Sequence, residues 1–593
     1  MKNRAHQLRK WQHTVRRCLL AFLSAACFLA ASGQKSSTPK KSIYPPATDH
    51  PGSVWFEDVA AKSGIDVVNV NGDATSKHYI LEATGSGVAI FDYDNDGWPD
   101  IFLVNGTYLR TEANPKLAIS STSHLFHNNH DGSFSDVTAS AGLADVGWGQ
   151  GVCAGDYDND GYEDLYVTGY EKNRLYHNQG KGTFKEVAAR VGVAGSGKDW
   201  GTGCAFVDYD RDGKLDIAVA NYVHFDIKRV PAPGQGPGCM WQGTPVMCGP
   251  RGLDSAPNLL YHNLGNGKFE DVSEKSGFTK TYGHYCFSVS TLDYDEDGWP
   301  DIYMACDSTP AILYHNNHDG TFTDVAANAG VAFNEDGREQ AGMGSTVGDY
   351  DGDGHLDIFK TNFSEDTSTL YHNNGNGTFN DVTLASGLGI NSQFLGWGAM
   401  FLDLDNHGWP DLLVVNGHVY PEVDSHKLGS SYREPRAIYR NLGNGKFEDI
   451  SKQSGPGITL PTPGRGLAVG DLWNDGRMEA VINNISDHPM LLVNRAANQN
   501  HWLGVRLIAT QSNRDGIGAR VTVRGQSRSW VDEVRSGSSY NSSNDLRLHF
   551  GLGHATQVAA IQVRWPNGGI ENFPGVHADQ FVTLKEGASH LPQ

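Results

Sequence analysis

One nine-residue pattern, Asp-x-Asp-x-Asp-Gly-x-x-Asp, constrains this chain more than any other feature. It runs from Asp92 to Asp100 and returns complete at 156–164, 208–216, 293–301 and 349–357. A sixth copy, 403–411, has His407 at its fifth position, and a seventh, 471–479, has Trp473 at its third and Glu479 at its ninth. The copies start 64, 52, 85, 56, 54 and 68 residues apart, a period that means a propeller or a solenoid. Two other signals travel with each loop. One is a Leu-Tyr-His-Asn run at 125–128 (with Phe126), 175–178, 260–263, 313–316 and 370–373, loosened at 438–441 and 491–494. The other is Phe-x-Asp-Val after a Gly-rich turn, at Phe134, Phe184, Phe269, Phe322, Phe379 and Phe447.

The second signal decides between the two architectures. Seven acidic loops meet only six downstream Phe-x-Asp-Val strands, and the missing one lies at the other end, as Phe56-Glu57-Asp58-Val59. Each unit reads as four short strands: one entering the acidic loop, one leaving it, the Leu-Tyr-His-Asn strand and the Phe-x-Asp-Val strand. A last unit completed by the N-terminal strand closes a ring and leaves no free outer edge. The expected fold is all-β: a seven-bladed β-propeller over 51–496 followed by a small β-sandwich over 497–593. The sandwich is read from alternating, β-branched runs at 502–508, 519–523, 529–534, 559–565 and 580–584.

The loops carry metal chemistry. Asp at positions 1, 3 and 5 of a turn converges on one point, Gly at 6 permits the bend, position 7 offers its carbonyl and Asp at 9 closes the shell. The candidate ligands are therefore Asp92, Asp94, Asp96, Trp98 and Asp100; Asp156, Asp158, Asp160, Tyr162 and Asp164; Asp208, Asp210, Asp212, Lys214 and Asp216; Asp293, Asp295, Asp297, Trp299 and Asp301; and Asp349, Asp351, Asp353, His355 and Asp357. Hard oxygen donors on a flexible turn suit Ca²⁺ rather than Mg²⁺. Five full sites are expected, with a weaker sixth at Asp403, Asp405 and Asp411. An EF-hand is excluded, because position 12 falls on Leu103, Val167, Val219, Met304 or Lys360 in strand-like runs. The chain has 68 acids against 47 bases, and 25 of its 49 Asp lie in the seven loops, so the acidity is chiefly a ligand inventory. It argues against nucleic acid, which needs clustered Lys and Arg.

The loops with their two companion signals resemble FG-GAP/VCBS repeats, as in integrin α-subunit propellers. Residues 500–587 resemble the ASPIC and UnbV domain, through His501-Trp-Leu-Gly-Val-Arg-Leu507, Asn513-Arg-Asp-Gly-Ile-Gly-Ala-Arg520, Arg547-Leu-His-Phe-Gly-Leu-Gly553 and Val563-Arg-Trp-Pro-Asn-Gly568. Together they are similar to the cartilage acidic protein 1 family, and the resemblance implies a secreted calcium-binding protein of adhesion or matrix type.

Residues 1–33 have the charged, apolar, small-residue order of a signal peptide, so export to the periplasm, cell surface or exterior is expected, with an uncleaved or lipid anchor as the alternative. Residues 34–50 read as a linker, and no later stretch is apolar enough to span a bilayer. Cys239 and Cys248, in one Gly/Pro-rich insertion at 222–258, are an expected disulfide, and Cys286–Cys306 is a second candidate. For Cys153 and Cys204, pairing and a role as small core residues stand level. The segments entering each first strand belong at the channel mouth opposite the acidic loops. They offer Glu82, Trp148, Gln150, Trp200, His284, Gln340, Trp397 and Arg465 as candidates for a glycan or protein ligand, against the simpler reading of Trp packing between blades. The five repeated histidines, His127, His177, His262, His315 and His372, are read as repeat packing. Two functions follow: an exported calcium-dependent binding or adhesion module, or a calcium-stabilised propeller enzyme acting on a polysaccharide at the channel mouth. No nucleophile elbow, zinc His-Glu-x-x-His or phosphate loop is present in the sequence.

Overall fold

The computed structural model describes residues 43–45, 54–109, 121–145, 147–236, 238–426 and 429–588 of the chain. The signal reading and most of the linker lie outside them. Seven four-stranded antiparallel sheets follow one another. In the first blade, Val88–Phe91 and Asp100–Leu103 flank the acidic loop, and His124–Asn128 and Phe134–Asp136 complete the sheet. The seventh blade pairs Gly464–Gly470, Glu479–Asn484 and Met490–Asn494 with Phe56–Asp58. Its register sets Phe56 opposite Asn494 and Asp58 opposite Leu492. The ring is thus closed by the N-terminal strand, and the seventh blade's first strand packs against the first blade's.

The repeat residues explain the geometry. Position 4 of all seven loops is left-handed, at Asn95, Asn159, Arg211, Glu296, Gly352, Asn406 and Asn474, and so is the Gly at position 6. The Asn ending each Leu-Tyr-His-Asn run is buried and ties its blade to the one before. Asn178 Nδ2 donates to Tyr93 O at 2.8 Å, Asn263 to Tyr157 O at 2.8 Å and Asn316 to Tyr209 O at 2.8 Å. Asn373, Asn441 and Asn494 continue the series, and Asn128 closes it on Leu472 O at 2.9 Å.

At the axis, the first strands crowd together. A Cβ added at Gly151 would lie 2.2 Å from Thr202 O, at Gly203 2.4 Å from Phe287 O, at Gly344 2.2 Å from Trp397 O and at Gly466 2.4 Å from Ser86 O. Each of these glycines sits at a bulge in its strand, where only a hydrogen side chain permits the approach.

The C-terminal segment forms two sheets. One is Leu548–Gly553, His501–Ile508 and Gln580–Lys585, with the central strand antiparallel to the first and parallel to the last. The other runs Ser529–Glu533, Arg520–Arg524, Ala560–Arg564 and Ile570–Pro574. Leu503, Val505, Val521, Val523, Ile561 and Val563 are all at 0 % exposure between them. Two of the seven strands, 548–553 and 570–574, were not among the five runs read from alternation.

Disulfides join Cys239 to Cys248, Cys286 to Cys306 and Cys153 to Cys204. The last links the first strands of blades two and three, and so decides the question the sequence left level. No helix among the described residues is long and apolar enough to cross a membrane.

Candidate functional site

Each complete loop is built by its own carboxylates. Position 1 staples the turn: Asp156 accepts Asp160 N at 2.9 Å on one oxygen and Gly161 N at 2.7 Å on the other. Position 5 accepts the N–H of position 7, as Asp96 does from Trp98 at 2.9 Å. The same bond brings Tyr162, Lys214, Trp299 and His355 into their turns. Position 9 is wholly buried, and Asp100 accepts Asn128 N at 2.8 Å and Tyr93 N at 3.3 Å.

What remains is a set of oxygens without a donor. Asp94 Oδ1, Asp210 Oδ1 and Asp295 Oδ1, all at position 3, are buried and have no hydrogen-bond partner. Burial pushes the position-9 carboxyls up, Asp100, Asp164 and Asp357 to about 7 and Asp216 and Asp301 to about 8. A carboxylate that is buried, crowded by three others and short of donors fits a bound cation.

The repeated histidines belong to these clusters. They lie a blade apart from one another, yet each reaches its own blade's loop. His127 Nδ1 is 3.3 Å from Asp100 Oδ1 and 3.5 Å from Asp94 Oδ2. His177, His262, His315 and His372 repeat this within 3.1–3.5 Å. Packing alone does not describe them: they face the position-3 and position-9 carboxylates, His177 and His262 hydrogen-bond Asp164 and Asp216, and Asp357 beside His372 raises it to about 9. Their constant place, two strands downstream of each loop, was the available signal.

The two degenerate loops supply their own cations. In the sixth, His407 Nδ1 lies 2.9 Å from both Asp403 Oδ1 and Asp405 Oδ1. Against the cost of burial, those bonds raise it to about 11. Arg440 stands where the five blades with complete loops have histidine and meets Asp405 at 2.6 Å. In the seventh, Trp473 is buried beside Tyr44, and Arg477 pairs with Asp475 at 2.7 Å.

The sandwich sits on this acidic face. Asp515 Oδ2 accepts Asp156 N at 2.7 Å, Arg564 pairs with Asp293, and Arg520 meets Glu296 at 2.8 Å. Trp530 Nε1 donates to Gly408 O at 3.0 Å, and Arg547 Nη1 to Asn474 Oδ1 at 2.6 Å. From it, residues 536–545, Ser-Gly-Ser-Ser-Tyr-Asn-Ser-Ser-Asn-Asp, descend into the channel. Ser539 and Ser345 exchange both backbone bonds, at 2.7 and 3.0 Å. Ser543 bonds Val88 O and Ile90 N, each at 3.0 Å, and Asn541 O accepts Val152 N at 3.0 Å. At the tip, Tyr540 is at 0 % exposure, bonded to Thr84 O and packed on Trp397 with ring centroids 4.7 Å apart.

At the far mouth, beyond Tyr540, lies a cleft of about 780 Å³. Phe287, Met343 and Trp397 form part of its lining, and the 222–258 insertion crosses it. The Met240–Trp241 strand of that insertion brings Trp241 within 5.2 Å of Phe363 and 6.2 Å of Tyr420, ring to ring. Of the sequence-predicted ligand residues, only Gln340 and Trp397 line this cleft. Trp148, Trp200 and Gln150 are buried in the ring, with the two tryptophans in one cluster with Tyr540. Glu82 caps a short turn through His78 N at 2.8 Å and Tyr79 N at 3.0 Å. His284 Nδ1 bonds Pro310 O at 2.9 Å. Arg465 is wholly buried over Trp397, donating to Ala83 O, Gly417 O and His418 O.

The repeats match the FG-GAP-like repeat model over 92–167, 156–219, 251–304, 293–360 and 349–414, and 509–591 match the ASPIC and UnbV model. The chain belongs to the FG-GAP repeat proteins that carry a C-terminal ASPIC/UnbV domain. It is 26% identical to human cartilage acidic protein 1 over 377 residues, 62% of this chain and 50% of that protein. The Xenopus tropicalis protein of the same name is 25% identical over 512 residues, 82% of this chain and 70% of that one. The chain thus spans about half the length of the human relative. Among solved structures it is similar to a Burkholderia pseudomallei lectin, with a TM-score of 0.43 and 9% identity over 70% of this chain and 97% of that one. An Agrocybe aegerita lectin that recognises non-reducing terminal N-acetylglucosamine gives 0.37 and 16% over 70% and 87%.

Proposed function

We propose that this is an exported binding or adhesion module. Ca²⁺ on five loops sets one face of the propeller, the ASPIC/UnbV domain caps that face, and the opposite mouth receives a ligand. One observation carries the reading: the capping domain plugs the channel from the acidic side, so the only large cleft among those described opens on the other side, against an aromatic floor. Three disulfides fit an oxidising compartment, and the residue order of 1–33 supports export. The metal role is structural. Carboxylates at positions 1, 3, 5 and 9 and the position-7 carbonyl would hold each Ca²⁺, which supplies the positive charge that the sixth and seventh loops obtain from His407, Arg440 and Arg477.

Calorimetry of the chelator-treated chain is expected to show about five Ca²⁺ bound per chain with a raised melting temperature, since a ligand held only by the folded state stabilises it. A chain whose melting ignores both calcium and chelator overturns the metal role. Retention of the calcium-loaded chain on an array of extracellular glycans and proteins, without turnover, supports binding. Cleavage of an arrayed polysaccharide overturns it.

A further inference from the structure

We infer that the far-mouth cleft takes a cationic protein segment, an exposed stretch of Lys or Arg around an apolar anchor. The inference rests on the binding-module reading and names its ligand class.

The floor and edge of the cleft are apolar and adaptable. Three of the chain's eight methionines, Met240, Met247 and Met343, line it. Thioether side chains refill irregular space against varied apolar partners. Two of its lining residues, Met240 at 47 % and Leu384 at 62 %, are among the most exposed large apolar side chains described. An apolar edge left in water marks a contact surface.

The rim is strongly acidic. Seven carboxylates line the cleft against two guanidinium groups, those of Arg251 and Arg338. Asp307 is held by Tyr222 at 2.6 Å, and Asp366 accepts Gln340 Nε2 at 2.9 Å. Glu339 shares Arg251 at 3.6 Å. Glu335 and Asp336 are exposed and form no ion pair among the described residues. Carboxylates gathered on the 335–381 side of an apolar floor are complementary to a cationic, apolar-anchored segment and repel an acidic one.

The aromatic faces argue against a neutral sugar. Stacking needs an open ring face, and here the faces are engaged. Arg465 lies 4.2 Å over Trp397, and Tyr222 stacks on Phe287 at 4.3 Å. Trp241 is already packed against Phe363 and Tyr420, inside the loop that Cys239–Cys248 closes, and the neighbouring Gln242 leans on Glu365.

The test uses the full calcium-loaded chain and three probes: a fluorescein-labelled octapeptide alternating Lys or Arg with Leu and Trp, the same peptide with Glu for every Lys and Arg, and a labelled neutral oligosaccharide set. Polarisation is expected to show the cationic peptide binding about tenfold or more tighter than the acidic one, with affinity falling as salt rises. The triple variant Glu335→Gln, Asp336→Asn, Glu339→Gln should weaken it about tenfold without moving the melting temperature. Trp241→Ala should weaken it as well, by removing the wall. Equal binding of the two peptides, or indifference to the triple variant, overturns the inference. An oligosaccharide bound in the wild type and lost in Trp241→Ala would overturn it while leaving the binding-module reading in place. Silence toward every probe overturns the inference and leaves the binding-module reading to the array of extracellular glycans and proteins.

Discussion

His407 and Arg440 are a pair of substitutions in one blade, and they interpret the other loops. Where an Asp becomes His at position 5, the histidine of the companion strand becomes Arg, and the carboxylates that remain are bridged internally at 2.6 and 2.9 Å. The five complete loops hold four Asp and one His each and have no such arginine. Replacing Asp94 or Asp295 by Asn is therefore expected to remove one bound Ca²⁺ per substitution in a calorimetric titration, and Asp405→Asn to remove none or the weakest. A second residue-scale expectation concerns His418, wholly buried with Nε2 3.2 Å from Ser364 Oγ and Nδ1 accepting Tyr420 N at 3.1 Å. Burial first, and Arg465 beside it, depress it to about 3. Below pH 6.5 the unfolded chain takes up a proton that the folded chain refuses. Its contribution is then complete above about 6.5 and erodes by about 1.4 kcal/mol per pH unit toward pH 3. Denaturant melts of wild type and His418→Gln from pH 7 to 4 should converge as pH falls; parallel curves would contradict this.

Blade-to-blade attachment rests on two backbone-directed devices, the asparagine ring and the glycine ring. Asn178→Ala would strand the Tyr93 and Glu163 carbonyls and should cost about 1–3 kcal/mol in denaturant stability with calcium stoichiometry unchanged. Gly151→Ala should cost more, because its Cβ would lie 2.2 Å from Thr202 O in a position where neither strand can move away. Much of this scale is legible in the sequence. Strand order, blade number and closure follow from the offset between Phe56-Glu57-Asp58-Val59 and the acidic loops, because each blade repeats the same contacts and a repeat advertises its own period. The histidines were less legible. Their spacing along a strand reads as packing, and only the pairing of the second and third strands, with Ile217 opposite Tyr261 for example, brings His262 beside Asp216.

The channel plug was not legible at all, and the reason is physical. Residues 536–545 are Ser, Asn, Gly and one Asp around one Tyr, the composition of a linker, and carry no hydrophobic period. Their partners are backbone groups of first strands from blades one, two, five and seven, which no side-chain pattern reports. Those first strands are inner edges, bulged at a glycine in blades two, five and seven, so their channel-facing N–H and C=O groups need a partner. The plug supplies one, and Tyr540 fills the space behind Thr84 and Trp397. Tyr540→Ala should cost about 3–5 kcal/mol as an unfilled aromatic cavity. The larger consequence is coupling between faces. The sandwich grips the acidic loops through Asp515, Arg520 and Arg564, and the plug is continuous with the sandwich, so what loosens the loops loosens the floor of the cleft. In hydrogen exchange, the amides of Ser539 and Ser543 should be as protected as those of Ser345 and Ile90, with which they share bonds. Chelation should release Ser539, Ser543 and the loop amides together, while outer-strand amides such as His262 and Glu270 hold, since local opening follows the cooperative unit. Plug amides that keep their protection in chelator would mean that the sandwich is anchored by Trp530, Arg547 and apolar contact alone, and that the acidic face and the far mouth are independent.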